Sequence, residues 1–106
     1  MKGAQLMLEN WTRDVLAENL KTTFQVHHEQ LGIVELELIE VSELKKAGRQ
    51  EAYSIQFCGP LASTLRQGMY KTEHARLGVV DLFIVPIGRE EDGLRYEAVF
   101  NHLLKQ

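Results

Sequence analysis

One cysteine, two prolines and no basic run are what this sequence offers where many proteins carry their function. Cys58 stands alone, which excludes an intrachain disulfide, so the expected setting is a reducing one, the cytoplasm. Lys45-Lys46 is the only adjacent basic pair, and the formal net charge is −3. Counterion release needs several clustered cations, so nucleic acid and anionic membrane are not expected partners. The most apolar run, "LGVVDLFIVPIG" at 77–88, holds Asp81 and Pro86 and is too short to span a bilayer as a helix. "MKGAQLMLEN" reaches Glu9 before any long apolar core and does not read as a signal peptide.

Signatures of chemistry are also missing. The four histidines and the cysteine match no H-x-x-x-H or C-x-x-C spacing, so neither a metal nor a cofactor is expected. Ser63 and Thr64 lie outside any G-x-S-x-G elbow. Gly88 and Gly93 flank acidic residues, which would repel a phosphate. The reading therefore leans away from an enzyme.

What is present is a chain of 106 residues, the size of one domain, 1–106, that folds without staples. "LMLENWTRDVLAENL" predicts an N-terminal amphipathic helix over about 6–18. Asn10 is its expected N-cap, Asp14 favours the first turns, and Trp11, Val15 and Leu16 form the apolar face. From Thr22 onward the period becomes two. Phe24 and Val26 alternate with polar residues, as do Val34, Leu36 and Leu38, after which the parity flips to Ile39 and Val41. Such a flip predicts a β-bulge at Leu38-Ile39. "KKAGRQEA" reads as a polar loop. Tyr53, Ile55 and Phe57 share a face; so do Tyr96, Ala98 and Phe100. Gly48, Gly59, Gly68, Gly78 and Gly88 recur at strand-plus-turn spacing, but the segments between them share no other residues and give no sequence repeat. The fold class expected is mainly β (α+β): an antiparallel meander of about six strands over 22–101, curled into a small barrel or roll, with a short tail at 102–106.

Several residues invite a functional reading. His27 and His28 are adjacent, so on a strand they point to opposite faces and do not share a metal. Cys58 reads as small-residue packing, and Glu35, Glu37, Glu40 and Glu43 as a solvated strand face. "VVDLFIVPI" is apolar on both faces. One face is core; the other, with Val79, Phe83, Val85 and Ile87, is either covered by the helix, with Trp11 against Phe83, or forms a protein interface. Pro86 is expected at a strand end or a place without a neighbour. In "RYEAVFN" every side chain has a structural task, Tyr96 and Phe100 inward, Arg95 and Glu97 outward.

The segments Q-G-x-Y-x-x-E-H at Gln67–His74, L-F-x-V-P-x-G at Leu82–Gly88 and Y-E-A-V-F-N at Tyr96–Asn101 resemble a small bacterial family known chiefly as a domain of unknown function. The resemblance covers nearly the whole chain. Members are often encoded beside proteins similar to phage tail-collar proteins, which implies a neighbourhood but carries over no catalytic residue. The leading expectation is a non-enzymatic structural or accessory domain that binds another protein or itself, in a phage-tail-like assembly. The alternatives are a small-molecule or nucleotide-binding barrel lined by Tyr70, Glu73, His74, Arg66 and Arg76, and a hydrolase using Glu73 with His74.

Overall fold

A computed structural model of the chain describes residues 11–103. A short helix, α1 (Arg13–Glu18), precedes seven strands: β1 (Thr23–His28), β2 (Gly32–Val41), β3 (Lys45–Ala47), β4 (Gln50–Gly59), β5 (Gly68–His74), β6 (Gly78–Glu90) and β7 (Gly93–Leu103). Every pairing is antiparallel, and the sheet closes on itself in the order β1–β2–β4–β7–β6–β5–β1. The result is a six-stranded barrel, with β3 extending the edge of β4 beyond the end of β2. Closure removes the open edges that invite aggregation.

The topology is not the expected meander. β4 and β5 follow one another in sequence but do not pair; β1 and β5 close one side and β4 and β7 the other. The expected loop at 45–52 is itself a hairpin, in which β3 and β4 flank Gly48, at φ 61°. All three residues of β3 are exposed, so no burial pattern announces the strand. The bulge predicted at Leu38-Ile39 is present, as a register shift between Leu38 and Glu40. A second shift lies between Pro86 and Gly88. Pro86 therefore does not end its strand: it pairs with Tyr96, and the bulge beside it absorbs the missing donor while β6 runs on to Glu90.

Inward-facing residues follow the alternation. Phe24, Val26, Leu36, Leu38, Ile55, Phe57, Ile84 and Tyr96 are fully buried. Phe24 packs edge-to-face on both Trp11 and Phe57, at centroid distances of 5.4 and 5.3 Å, the arrangement aromatic quadrupoles prefer.

The helix differs from expectation. It begins after Thr12, whose side chain accepts from Val15 N–H, and is only one and a half turns long. The expected cap Asn10 and the start of the predicted helix lie outside the described residues. Nor does the helix lie over β6: it packs against β2 at one end of the barrel, and Trp11 meets Phe24 rather than Phe83. Lys21, at φ 71°, turns the chain from α1 into β1.

Each barrel end is closed by a tyrosine hydroxyl bonded to an incoming segment. Tyr53 Oη donates to the Trp11 carbonyl at 2.5 Å, holding the segment that carries Leu16. At the other end Tyr96 Oη accepts from Leu65 N–H at 3.0 Å, holding Leu65 in the core. Burial and the charge of Glu51 push the Tyr53 pKa up to about 12, so this donor keeps its proton.

The chain is internally duplicated, contrary to the sequence reading. "HEQLGIVEL" at 28–36 and "HARLGVVDL" at 74–82 occupy the same places in the β1–β2 and β5–β6 hairpins. In both, the histidine pairs with the glycine across a three-residue turn, and the glycine takes positive φ, 78° at Gly32 and 87° at Gly78. In both, the histidine Nδ1 accepts two turn amides: Gln30 and Leu31 at His28, Arg76 and Leu77 at His74. Exchanging β1 with β5, β2 with β6 and β4 with β7 returns the same set of barrel pairings. The barrel is thus two β-β-β units related by an approximate twofold.

Candidate functional site

β1 and β5 pair only at Gln25↔Glu73 and Val26↔Thr72. Beyond these pairs, toward the β1–β2 turn, lies a groove of about 460 Å³. His27, His28, Met69, Tyr70 and Lys71 line it. His27 Nε2 meets Glu73 Oε1 at 2.5 Å on the outer face, bridging the seam. The His28 and Tyr70 rings stack at 6.0 Å, and Tyr70 Oη donates to the Arg66 carbonyl at 2.6 Å.

Of the five residues expected to line a ligand site, the structure brings Tyr70 and Glu73 to this groove and its rim. His74 is one residue from Glu73 on β5 and therefore faces the other way, into the barrel, where it is 6% exposed. Its Nε2 lies 2.9 Å from Thr22 Oγ1 and its ring 4.5 Å from that of Phe24. Burial, and next the charge of Arg76, hold its pKa below the ordinary 6.5. Glu73 and His74 thus stand on opposite sides of the barrel wall and form no acid–base pair. Arg66 precedes β5 and Arg76 follows it, both exposed, at opposite ends of the strand. These five side chains do not converge on one barrel mouth.

The four residues expected at an interface lie on the outer face of β6. Phe83 and Ile87 are exposed, and Val79 and Val85 are half-buried. Phe83 pairs across to Met69 on β5, and these two side chains are 46% and 64% exposed. Val99, on the exposed face of β7, adds a further large apolar side chain to this half of the barrel.

Cys58 is half-buried on the outer face of β4, opposite Arg95 in the β4–β7 register and Glu37 in the β2–β4 register. Arg95 Nη1 donates to Cys58 Sγ at 3.1 Å and its Nη2 to Asp92 Oδ1 at 2.9 Å. The hydrogen bond to Asp92 raises the guanidinium pKa further. Only the Asp92–Arg95 spacing was open to a sequence reading; the cysteine joins through strand register. The acidic residues Glu35, Glu37, Glu40 and Glu43 are all exposed, as a solvated face requires. Among the described residues no group of three or more His, Cys, Asp or Glu side chains is placed to hold a metal ion. No helix among them is long and apolar enough to cross a membrane.

A family model matches residues 11–100, from the tryptophan of the closed end through the Tyr96–Phe100 segment of β7. The chain belongs to the family described as domain of unknown function DUF6916. No curated protein and no solved structure matches it. The DUF6916 match takes in both hairpins of the duplication and both tyrosine-held ends, so the family's extent coincides with the closed barrel and its N-terminal segment.

Proposed function

We propose that this DUF6916 domain is a non-enzymatic accessory module that docks another protein, a component of a phage-tail-like assembly, through the outer face of β5, β6 and β7. One comparison carries the reading. The exposed cross-strand pair Met69↔Phe83 has as its counterpart in the β1–β2 hairpin the pair Thr23↔Glu37. The same backbone position is therefore served by polar residues in one half and by large apolar ones in the other. The barrel does not require Met69 and Phe83 to be apolar, and solvent disfavours them: fully burying such a side chain is worth about 1.5–3 kcal/mol. Exposed apolar clusters on a soluble surface mark contact sites. The neighbours implied by the family resemblance supply the partner class.

Affinity capture from the native host, with wild-type chain and Phe83→Asp as baits, tests this. The expected result is a discrete partner retained by the wild type and lost, by about thirtyfold or more in affinity, with the variant. Equal retention by both baits, or none by either, removes the reading.

The β1–β5 groove favours a second reading, a small anionic ligand held by Lys71 beside the His28–Tyr70 stack. A thermal-shift screen against nucleotides and metabolites, compared with Lys71→Ala, separates it from the first. A shift lost with Lys71 but kept with Phe83→Asp places a ligand in the groove.

A further inference from the structure

The hydrogen bonds around His74 leave only one arrangement of protons. Its Nδ1 accepts from Arg76 N–H at 3.0 Å and Leu77 N–H at 3.3 Å, so that nitrogen carries a lone pair. The ring proton is then on Nε2 and is donated to Thr22 Oγ1, 2.9 Å away. Thr22 Oγ1 in turn donates to the carbonyl of Asn19 at 2.6 Å, and Asn19 is the C-cap of α1. The turn that His74 organises also holds the other end of the same segment, because Leu77 O accepts from Trp11 Nε1 at 3.0 Å. One neutral imidazole thus ties together the β5–β6 turn, the start of β1, the end of α1 and, through Leu77, Trp11.

A second proton on this ring would have to go to Nδ1. It would set an N–H against two backbone N–H groups, breaking both bonds, and would place a cation in a buried site beside Phe24. Charged groups on the neighbouring elements give it no help. Arg76, in the turn, opposes it. The Glu73 carboxylate is outside the barrel with His27. Glu18 and Lys21, flanking the end of α1, and Asp81 on β6 are exposed, and the part of β1 beside the ring offers only Thr23 and Gln25.

We propose that protonation of His74 unfastens the β5–β6 turn and, through Leu77, frees the Trp11 indole from the barrel end. This acid-sensitive latch opens while the β-sheet stays closed and while the bonds of Tyr53, Arg13 and Lys21 still hold residues 11–22 to the barrel. The duplicated half provides the control. His28 makes the same two amide bonds, but at a solvent-facing turn whose other residues, Glu29–Leu31, are exposed. Water can replace its bonds, and nothing from α1 rests on it. The direction with pH follows from the depressed pKa of the latched ring. The unfastened ring, with its ordinary value of 6.5, binds the proton first, so acid favours release. The opened population rises about tenfold per pH unit lowered between the two pKa values.

Trp11 is the only tryptophan and reports the latch directly. The full chain is titrated from about pH 8 to about pH 4, following tryptophan emission, far-UV circular dichroism and two-dimensional NMR of the histidine ring nitrogens. The expected result is a reversible red shift of the emission below pH 6.5, with the β signal retained. The NMR is expected to give an Nε2–H tautomer for His74 at neutral pH and a ring titration that tracks the emission. His74→Asn, whose amide oxygen accepts the turn amides without titrating, is expected to hold the emission constant over the same window; His28→Asn is expected to leave the transition in place. The ring NMR of the wild type decides the matter if His74→Asn does not fold. Emission that changes only together with loss of the β signal, His74 titrating while Trp11 does not move, or an Nδ1–H tautomer overturns the proposal.

Discussion

Gly93 stands where no side chain fits. A Cβ there would come within 2.5 Å of the Gly59 carbonyl oxygen and 2.6 Å of Cys58 Sγ. A backbone oxygen cannot move aside without disturbing the β4–β7 ladder, so Gly93→Ala is expected to lose about 1–3 kcal/mol in urea denaturation. Gly88 has open space around its own Cβ position, and Gly88→Ala is expected to stay within about 0.5 kcal/mol. A reversed order of the two variants would contradict the packing described. At this scale the interior aromatics were legible, because Tyr53, Phe57, Tyr96 and Phe100 alternate with polar residues and all four are buried. The places of His74 and Cys58 were not. Each depends on a partner distant in sequence, Thr22 for the histidine and Arg95 for the cysteine.

Among elements, the two hairpins invite a paired experiment. Gly32 and Gly78 hold positive φ at equivalent positions, where an L side chain is strained by about 1–2 kcal/mol. Gly32→Ala and Gly78→Ala are each expected to destabilise by that amount, and asparagine at either site by less. Loss from only one of the two, read by chemical denaturation, would show that the hairpins are not equivalent. The closing segments give another test. Tyr96→Phe leaves the buried Leu65 amide without its acceptor and is expected to lose about 1–3 kcal/mol. Strands and the β2 bulge could be read from side-chain alternation, since period and parity survive in the sequence. The β3 hairpin could not, because all three of its residues are exposed and none alternates with a core position. The cap was not legible, because the apolar rhythm runs on across Trp11 and Thr12, where Thr12 in fact caps the helix that begins at Arg13.

For the whole molecule, the approximate twofold means that neither half is complete. Residues 11–59 alone leave β1 and β4 without the partners that β5 and β7 supply. A chain divided in the exposed loop between Ala62 and Ser63 is expected to give two fragments that lack β structure separately and recover it when mixed, read by circular dichroism. A fragment that folds alone would refute the closed barrel as the cooperative unit. A small barrel or roll could be read, but not its pairing: local alternation shows which residues face inward, but not that β4 skips β5 to pair with β7. The duplication was missed for a related reason. The glycines recur at the spacing of single strands, whereas the duplication repeats at the spacing of three.

The two seams that join the halves are very unequal. β4 and β7 are in register from Gln50↔Leu103 to Gly59↔Leu94, along the full length of β4, whereas β1 and β5 meet at two residue pairs and one His27–Glu73 bridge. Such a wall behaves as a clamshell, hinged along its long side and parting along its short one. Backbone amides of Gln25 and Thr72 should exchange with deuterium sooner than those of Ile55 and Ala98, and a force or a wedge that opens this protein would enter between its first and fifth strands.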